Sequence, residues 1–189
     1  GGRSARCPPE NASTRKMEDG DFVRLGYAPE VGNYASDVTR MWPVNGRFSQ
    51  WQRDLYGFYL GCYRAILKHI RPGATAHAIM LEAASDMEKL LASSRFSKET
   101  HRKGAEDFVQ KYKESAERED AALGHWVGMA THDVGAHTET WKHGTVFTKQ
   151  TALTDTDDKL PVILGRGRLD HANDTQVAMT ERPGRNAEK

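Results

Sequence analysis

Apolar and polar side chains alternate in two segments near the start of the chain. Residues 21–27 (DFVRLGY) and 33–44 (NYASDVTRMWPV) combine this alternation with β-branched and aromatic residues. A period of two is typical of strands that bury one face. We therefore predict two strands, joined through APEVG at 28–32. Residues 1–20 are rich in Gly, Pro, Ser and Asn and are predicted to be loop.

The pattern changes to helical spacing after residue 48. A helix is predicted over 49–70, from a Ser49–Gln52 capping box to the Pro72–Gly73 pair. Further helices are predicted over 75–91 and over 97–118, the last mostly charged with one narrow packed edge. The predicted inner faces are Trp51, Leu55, Phe58, Cys62, Ile66 and His69 in the first helix, and Ile79, Ala83, Met87 and Leu90 in the second.

Short apolar segments separated by glycine-rich connections follow residue 124. They lie at 144–150, 160–169 and 175–180 and are predicted to be strands. Strands, then helices, then strands again indicate an α+β fold rather than a doubly wound parallel sheet. We expect residues 1–189 to form a single domain.

Composition narrows the class of protein. A chain of 189 residues with 38% hydrophobic content can bury a core without a disulfide or a structural metal. Its 27 basic and 26 acidic residues nearly cancel, which predicts no nucleic-acid partner and no membrane surface. Cys7 in a loop and Cys62 in a helix do not suggest a disulfide framework, and we expect a cytoplasmic location.

Asp37 is the first candidate for chemistry. In the predicted strand it shares a face with Ala35, Thr39 and Met41, while Arg40 points the other way. A carboxylate on such a face needs a cation or several hydrogen-bond donors. Periodicity alone leaves two interpretations open, a carboxylate satisfied by backbone N–H groups or a member of a functional site.

His125 and His132 lie in the segment GHWVGMATHD, and imidazole suits both metal ligation and proton transfer. Their spacing of seven matches no established metal-ligand pattern. A structural or surface role is therefore open for this pair. The chain also lacks a G-x-S-x-G segment, a phosphate-binding P-loop and a C-x-x-C pair.

Several of these segments together resemble the catalytic domain of the pita-bread metallopeptidases, peptidase family M24, which includes Xaa-Pro aminopeptidases, prolidases and methionine aminopeptidases. The resemblance rests on GDFVRLGYAPEVGNYASDVTRMWPVNGRFS at 20–49, IRPG at 70–73, GHWVGMATHD at 124–133 and GTVFT at 144–148. It implies the pita-bread fold, a curved and mainly antiparallel sheet with helices on its outer face. The family's separate N-terminal domain and the first helical part of its catalytic domain have no counterpart in this sequence.

The resemblance also implies a metal site, in which two aspartates, one histidine and two glutamates hold two divalent cations. The second aspartate corresponds to Asp37 and the histidine to His125. The first aspartate falls on Gly26, and the two glutamates fall on Gln150 and Gly165. Three of the five ligands are therefore replaced, and we interpret the metal site as degenerate.

At other positions of the family's site, this chain matches the family's residue type in some cases and differs in others. His132 corresponds to the family's proton-handling histidine, and Arg40 is expected to contact substrate. Arg166 follows Gly165, and Cys7 occupies the position of an upstream histidine. We expect no cofactor. If a cation binds at all, it should be one weakly held Mn, Co or Zn ion at Asp37 and His125, completed by water or Gln150.

Three functions remain open from the sequence. The first is a pseudoenzyme that binds a peptide or a small amide-like ligand. The second is a metal-independent hydrolase like creatinase, which has the same fold, with His132 as acid or base. The third is an active metallopeptidase whose ligands were altered by engineering or by sequence error. For each, we expect a homodimer or an N-terminal domain that is missing from this sequence.

Overall fold

One long β-hairpin, with a break in its ladder, precedes three helices, and short strands follow them. The computed structural model describes residues 16–135, 140–149, 152–154, 163–165 and 176–178. The chain is α+β, as predicted. Its elements are β1 Phe22–Tyr27, β2 Glu30–Val31, β3 Tyr34–Ala35, β4 Val38–Pro43, α1 Gln50–His69, α2 Ala76–Ser93, α3 Glu99–Ala116, β5 Gly124–Trp126, β6 Val146–Lys149, β7 Ala152–Thr154, β8 Ile163–Gly165 and β9 Gln176–Ala178.

The three predicted helices are confirmed to within two residues at each end. Helix α1 begins as the capping box requires, because the Gln52 side chain accepts a hydrogen bond from the Ser49 N–H at 2.9 Å. The same amide donates to the Gly20 carbonyl at 3.1 Å. Gln52 therefore fixes the start of α1 to Gly20, two residues before β1.

An aromatic cluster joins the first hairpin to the helices. Phe22 on β1 lies 5.7 Å from the Trp51 ring and 6.0 Å from the Tyr56 ring. Tyr56 in turn stacks on Tyr59, which contacts Phe108 of α3. The predicted inner faces are confirmed, with these side chains fully or partly buried: Trp51, Leu55, Phe58, Cys62, Ile66 and His69 on α1, and Ile79, Ala83, Met87 and Leu90 on α2.

Charged groups hold the end of α1 against α2. The His69 ring contacts Glu82 through Nδ1 at 2.7 Å and Asp86 through Nε2 at 3.0 Å. The Lys68 ammonium lies 2.7 Å from the same Asp86 oxygen. Hydrogen bonds from Lys68 and then from His69 hold the pKa of Asp86 well below its usual range. This polar contact supplements the apolar packing between the two helices.

The predicted strand over 33–44 is corrected by the structure. It divides into β3 and β4, and Ser36 and Asp37 connect them. The break lies opposite Ala28 and Pro29, and Pro29 has no N–H to donate to the ladder. A tight turn follows at Gly32 and Asn33, both of which have positive φ, at 58° and 67°. That turn folds β2 onto β3, and the Ser36 hydroxyl donates to the Pro29 carbonyl at 2.8 Å. Asp37 therefore lies in a connection, not within a strand.

The later strands form two groups. Strands β5, β6 and β9 form one sheet, and β7 pairs with β8. Every described strand pairing is antiparallel, in agreement with the expected mainly antiparallel architecture. In the β5–β6 register, His125 lies opposite Thr148. Among the described helices, none is long and apolar enough to cross a bilayer.

We predict that the Cys62 thiol is unreactive in the folded protein. It is buried on α1, and burial raises its pKa to about 12, an effect that nearby Lys149 partly opposes. About one thiol in ten thousand would then be ionised near pH 8. In a Cys7→Ser variant, which leaves Cys62 as the remaining thiol, a chromogenic disulfide reagent should react only after denaturation. Full reaction of the native variant within minutes would contradict the burial of this side chain.

Candidate functional site

Strand β5 holds His125, and its pairing with β6 requires glycine at the preceding position. A Cβ atom on Gly124 would lie 1.7 Å from the Thr148 carbonyl oxygen. Only a residue without a side chain allows so close an approach of the two backbones. Gly124 therefore sets the position of His125 against β6.

The loop after β5 folds back over the strand. The Asp133 N–H donates to the Trp126 carbonyl at 3.0 Å. The Asp133 carboxylate accepts from the Met129 N–H at 2.9 Å and from the Val134 N–H at 2.8 Å. The loop is thereby closed on itself, and it brings His132 back over β5.

A hydrogen bond between backbone groups joins this loop to strand β3. The Ala35 N–H, at the end of β3, donates to the Gly128 carbonyl at 2.8 Å. Asp37 follows two residues later, and its carboxylate is carried toward β5. Residues 88 positions apart in sequence meet in this way.

Three of the predicted site residues come together. Asp37 Oδ2 lies 3.2 Å from His125 Nε2, with the two side chains only 11% and 15% exposed. The rings of His125 and His132 lie 4.0 Å apart, centroid to centroid, and His132 is exposed. The geometry forms a short series from a buried carboxylate, through a half-buried imidazole, to an imidazole at the surface.

The hydrogen bonds of His125 orient its ring. Its Nδ1 lies 3.0 Å from the Trp126 carbonyl oxygen, which can only accept, so this contact places a hydrogen on Nδ1. Nε2 faces the Asp37 carboxylate at 3.2 Å. A histidine that donates through Nδ1 to a backbone carbonyl has the orientation in which Nε2 can also ligate a metal ion.

Two further positions bear on the site: Gly26, which has space for a Cβ atom, and Thr148, whose hydroxyl is unsatisfied among the described residues. Gly26 lies opposite Thr39 in the β1–β4 register, and a Cβ atom there would meet only the Thr39 hydroxyl, at 3.8 Å. Thr148, opposite His125, has a fully buried hydroxyl without a hydrogen-bond partner in the described part of the chain. A cavity that touches His125 has a volume of about 10 Å³, room for roughly one water molecule.

The structure describes only some of the other predicted site residues. Arg40 pairs with the exposed Leu25, and its guanidinium donates to the Thr39 carbonyl at 2.9 Å. Its expected contact with substrate stays a prediction. Gly165 lies on β8 opposite Ala152. Gln150, Arg166 and Cys7 lie outside the described residues.

The donor set does not fit a dinuclear metal centre. Within the described ranges, no three His, Cys, Asp or Glu side chains are grouped so that they could hold a metal ion. Two divalent cations carry four positive charges and are normally held by bridging and flanking carboxylates. Asp37 offers one carboxylate, and it already contacts His125.

Sequence reasoning missed the residues that build the site without contributing chemistry. Asp133 closes the loop, and Gly124 and Gly128 permit close approaches, the latter to an Asp133 oxygen. The available signal was the density of glycine in GHWVGMATHDVG, together with an aspartate directly after His132. Spacing alone could not show which backbone or side chain each glycine would meet.

Comparisons with known proteins identify the family to which the chain is similar. The family model described as metallopeptidase family M24 matches residues 1–168. The chain is 31% identical over 124 residues to the Xaa-Pro aminopeptidase of Escherichia coli, covering 65% of this chain and 26% of that protein. It is 34% identical over 120 residues to Xaa-Pro aminopeptidase 3 of Mus musculus, covering 62% and 22% of the two chains.

Solved structures show the same similarity. A glutamate-to-alanine variant of Escherichia coli aminopeptidase P in complex with substrate has a TM-score of 0.58 and 26% identity, with 80% of this chain and 36% of the other covered. Zinc-substituted Escherichia coli aminopeptidase P in complex with product has a TM-score of 0.54, 26% identity and the same coverage. The chain thus spans between about a fifth and about a third of the length of these relatives.

Alanine substitutions at two strand glycines should change the free energy of unfolding by different amounts. Gly124→Ala should lower the free energy of unfolding by about 3 kcal/mol or more, because the new methyl group would overlap the Thr148 backbone. Gly26→Ala should change it by less than about 1 kcal/mol, because its site has room. Urea denaturation of both variants measures the difference. Equal midpoints for the two variants would contradict the close approach of β5 and β6.

Proposed function

The chain belongs to metallopeptidase family M24, and we propose that it is a binding domain of that family that does not cleave peptides. Its ligand would be a peptide or a small amide-like molecule, bound beside His132. We propose no dinuclear metal centre for this chain.

The contact between Asp37 and His125 carries this proposal. In a metal centre of the family, both residues would direct lone pairs at a cation. Here the Asp37 carboxylate and Nε2 of His125 lie within hydrogen-bond distance of each other, at 3.2 Å. A buried carboxylate with such a neighbour has a partner within the chain. The pair therefore supports a site that holds together without a cation.

The charge balance points the same way. Gly26 brings no side chain to the position where the family has its first aspartate, although the structure leaves space for one. At the positions of the two glutamates, Gly165 supplies no oxygen and Gln150 only a neutral amide. A neutral amide is a weaker ligand than a carboxylate for a divalent cation. One negative charge at Asp37 would leave two cations largely unbalanced.

The absence of metal-ligating side chains affects amide hydrolysis more than it affects the binding of a peptide. Amide hydrolysis in this family uses water made nucleophilic by the metal ions, and the residues of this chain offer no equivalent activation. His132 remains exposed beside His125 and can still donate or accept a hydrogen bond. One similar structure is a complex with substrate, which supports a peptide as the class of ligand.

We expect the purified chain to bind no pair of divalent cations and to leave Xaa-Pro peptides intact. Plasma mass spectrometry after incubation with Mn, Co or Zn should find less than one tightly bound ion per chain. Calorimetry with an Xaa-Pro tripeptide should show saturable binding, and chromatography should recover the tripeptide unchanged. His132→Ala should weaken that binding by about tenfold if His132 makes one good hydrogen bond to the peptide. Two bound ions together with peptide turnover would overturn the proposal.

The same assay separates the alternatives. Turnover of an amide or amidino substrate that survives a chelator and is lost in His132→Ala would indicate the metal-independent hydrolase instead. The contact of 4.0 Å between the His125 and His132 rings is the observation that would support it. Turnover that a chelator abolishes would indicate a functional metallopeptidase.

Restoring the ligand set should restore metal binding. The triple variant Gly26→Asp, Gln150→Glu and Gly165→Glu would supply the three missing carboxylates, and the space at Gly26 accommodates the first. Each single variant should do little, because the ligands of one cluster act jointly. Calorimetric titration with Mn or Zn measures the difference. Equal metal binding by Gly26→Asp alone and by the triple variant would contradict this joint action.

A further inference from the structure

A second groove lies in a different part of the fold from Asp37 and His125. It is formed by the connection between β4 and α1 and by the first two turns of α1, and has a volume of about 470 Å³. Its lining residues are Arg47, Phe48, Arg53, Tyr56 and Gly57. This volume falls within the range that small-molecule sites occupy.

Two arginines of the groove have no acidic partner. Arg53 donates through Nη1 to the Phe48 carbonyl, which fixes its guanidinium beside the groove. Neither Arg47 nor Arg53 has a carboxylate within 4.0 Å in the described part of the chain.

The acidic residues near these arginines have other partners. Asp54 accepts hydrogen bonds from Ser97 and Gln50, and Asp19 accepts one from Asn45. The two guanidinium charges at the groove are therefore left uncompensated by nearby carboxylates, apart from the weak electrostatic effect of Arg53 on Asp54.

Gly57 is the second, independent observation. Glycine in the interior of a helix is destabilising compared with alanine, so its presence usually has a reason in packing or function. Gly61 has such a reason, since a Cβ atom there would lie 2.5 Å from a methyl carbon of Leu90 on α2. Gly57 is exposed, and a Cβ atom there would meet no described atom within 4 Å. Its missing side chain leaves the wall of the groove open.

We propose that this groove binds a small phosphate monoester whose organic part is flat and apolar. Two guanidinium groups match the double charge of a phosphate monoester, and Arg binds such groups through paired hydrogen bonds. Phe48 is half-buried and stacked on Tyr56, with ring centroids 5.7 Å apart, and offers an apolar surface beside the two charges. The open backbone at Gly57 gives the organic part room to lie against α1. This site is independent of the function proposed for Asp37, His125 and His132.

Phenyl phosphate is a suitable probe, with inorganic phosphate and phenol as its two halves. Titration of the isotope-labelled chain, followed by backbone amide NMR shifts, should give saturable changes confined to about residues 46–58. The expected Kd for phenyl phosphate is about 1 mM or lower. Inorganic phosphate should bind at least about fivefold more weakly, and phenol should produce no saturation.

Four variants test the roles of the residues. Arg47→Gln and Arg53→Gln should each weaken phenyl phosphate by about tenfold, through loss of a charged pair of hydrogen bonds. Arg95→Gln is the matched control, because Arg95 is exposed and has no ion pair or hydrogen bond within the described residues. Gly57→Ala should weaken phenyl phosphate while leaving inorganic phosphate unchanged, and should raise the Tm by about 2 °C through higher helix propensity.

Either of two results would overturn the proposal. One is the absence of saturation at phenyl phosphate concentrations about twentyfold above the expected Kd. The other is equal binding by the chain and by the Arg47→Gln/Arg53→Gln double variant, which would place the ligand elsewhere. Circular dichroism of each variant checks that the helices are intact, so that lost binding reports on the groove.

Discussion

A buried carboxyl group needs a partner, and in this chain Asp37 finds one in His125. The contact at 3.2 Å joins the connection after β3 to strand β5 across 88 positions of sequence. It depends on the hydrogen bond from Ala35 to Gly128 and on the close approach of Gly124 to β6. The imidazole gives a polar neighbour to a carboxyl that would otherwise be costly to bury.

The glycines of the chain differ in how much space the fold leaves for a side chain. Gly124, Gly128 and Gly135 each allow an approach so close that a Cβ atom would overlap a neighbouring atom. Gly26 is different, because a Cβ atom there would lie 3.8 Å from the Thr39 hydroxyl oxygen, an ordinary van der Waals distance and the nearest contact among the described residues. A side chain at position 26, where the resemblance places the family's first aspartate, can therefore begin without a clash.

Sequence patterns predicted the helices well because their information is local. Apolar side chains three and four positions apart, such as Leu55, Phe58 and Cys62, bury one face whatever the rest of the chain does. The division of the segment 33–44 was missed, because it depends on the facing segment, where Pro29 cannot donate to the ladder. Alternation continues across such a break, so periodicity cannot reveal it.

The candidate site was predictable only in part for a related reason. Resemblance to a family brought Asp37, His125 and His132 to attention, whereas their spacing alone did not. The orientation of His125 depends on hydrogen bonds to the Trp126 carbonyl and to Asp37. The return of His132 depends on Asp133, whose carboxylate holds two backbone N–H groups. These are tertiary contacts, and no period in the sequence encodes them.

The hydrophobic core described by the structure does not include Gly26, Asp37 or His125. Tyr56, Tyr59 and Ile66 on α1 are fully buried, and Phe22 attaches the first hairpin to them through aromatic contacts. A charged side chain at the edge of such a core carries a desolvation penalty, so its absence costs little folding free energy. The helices and the first hairpin can therefore pack as they do with glycine at position 26.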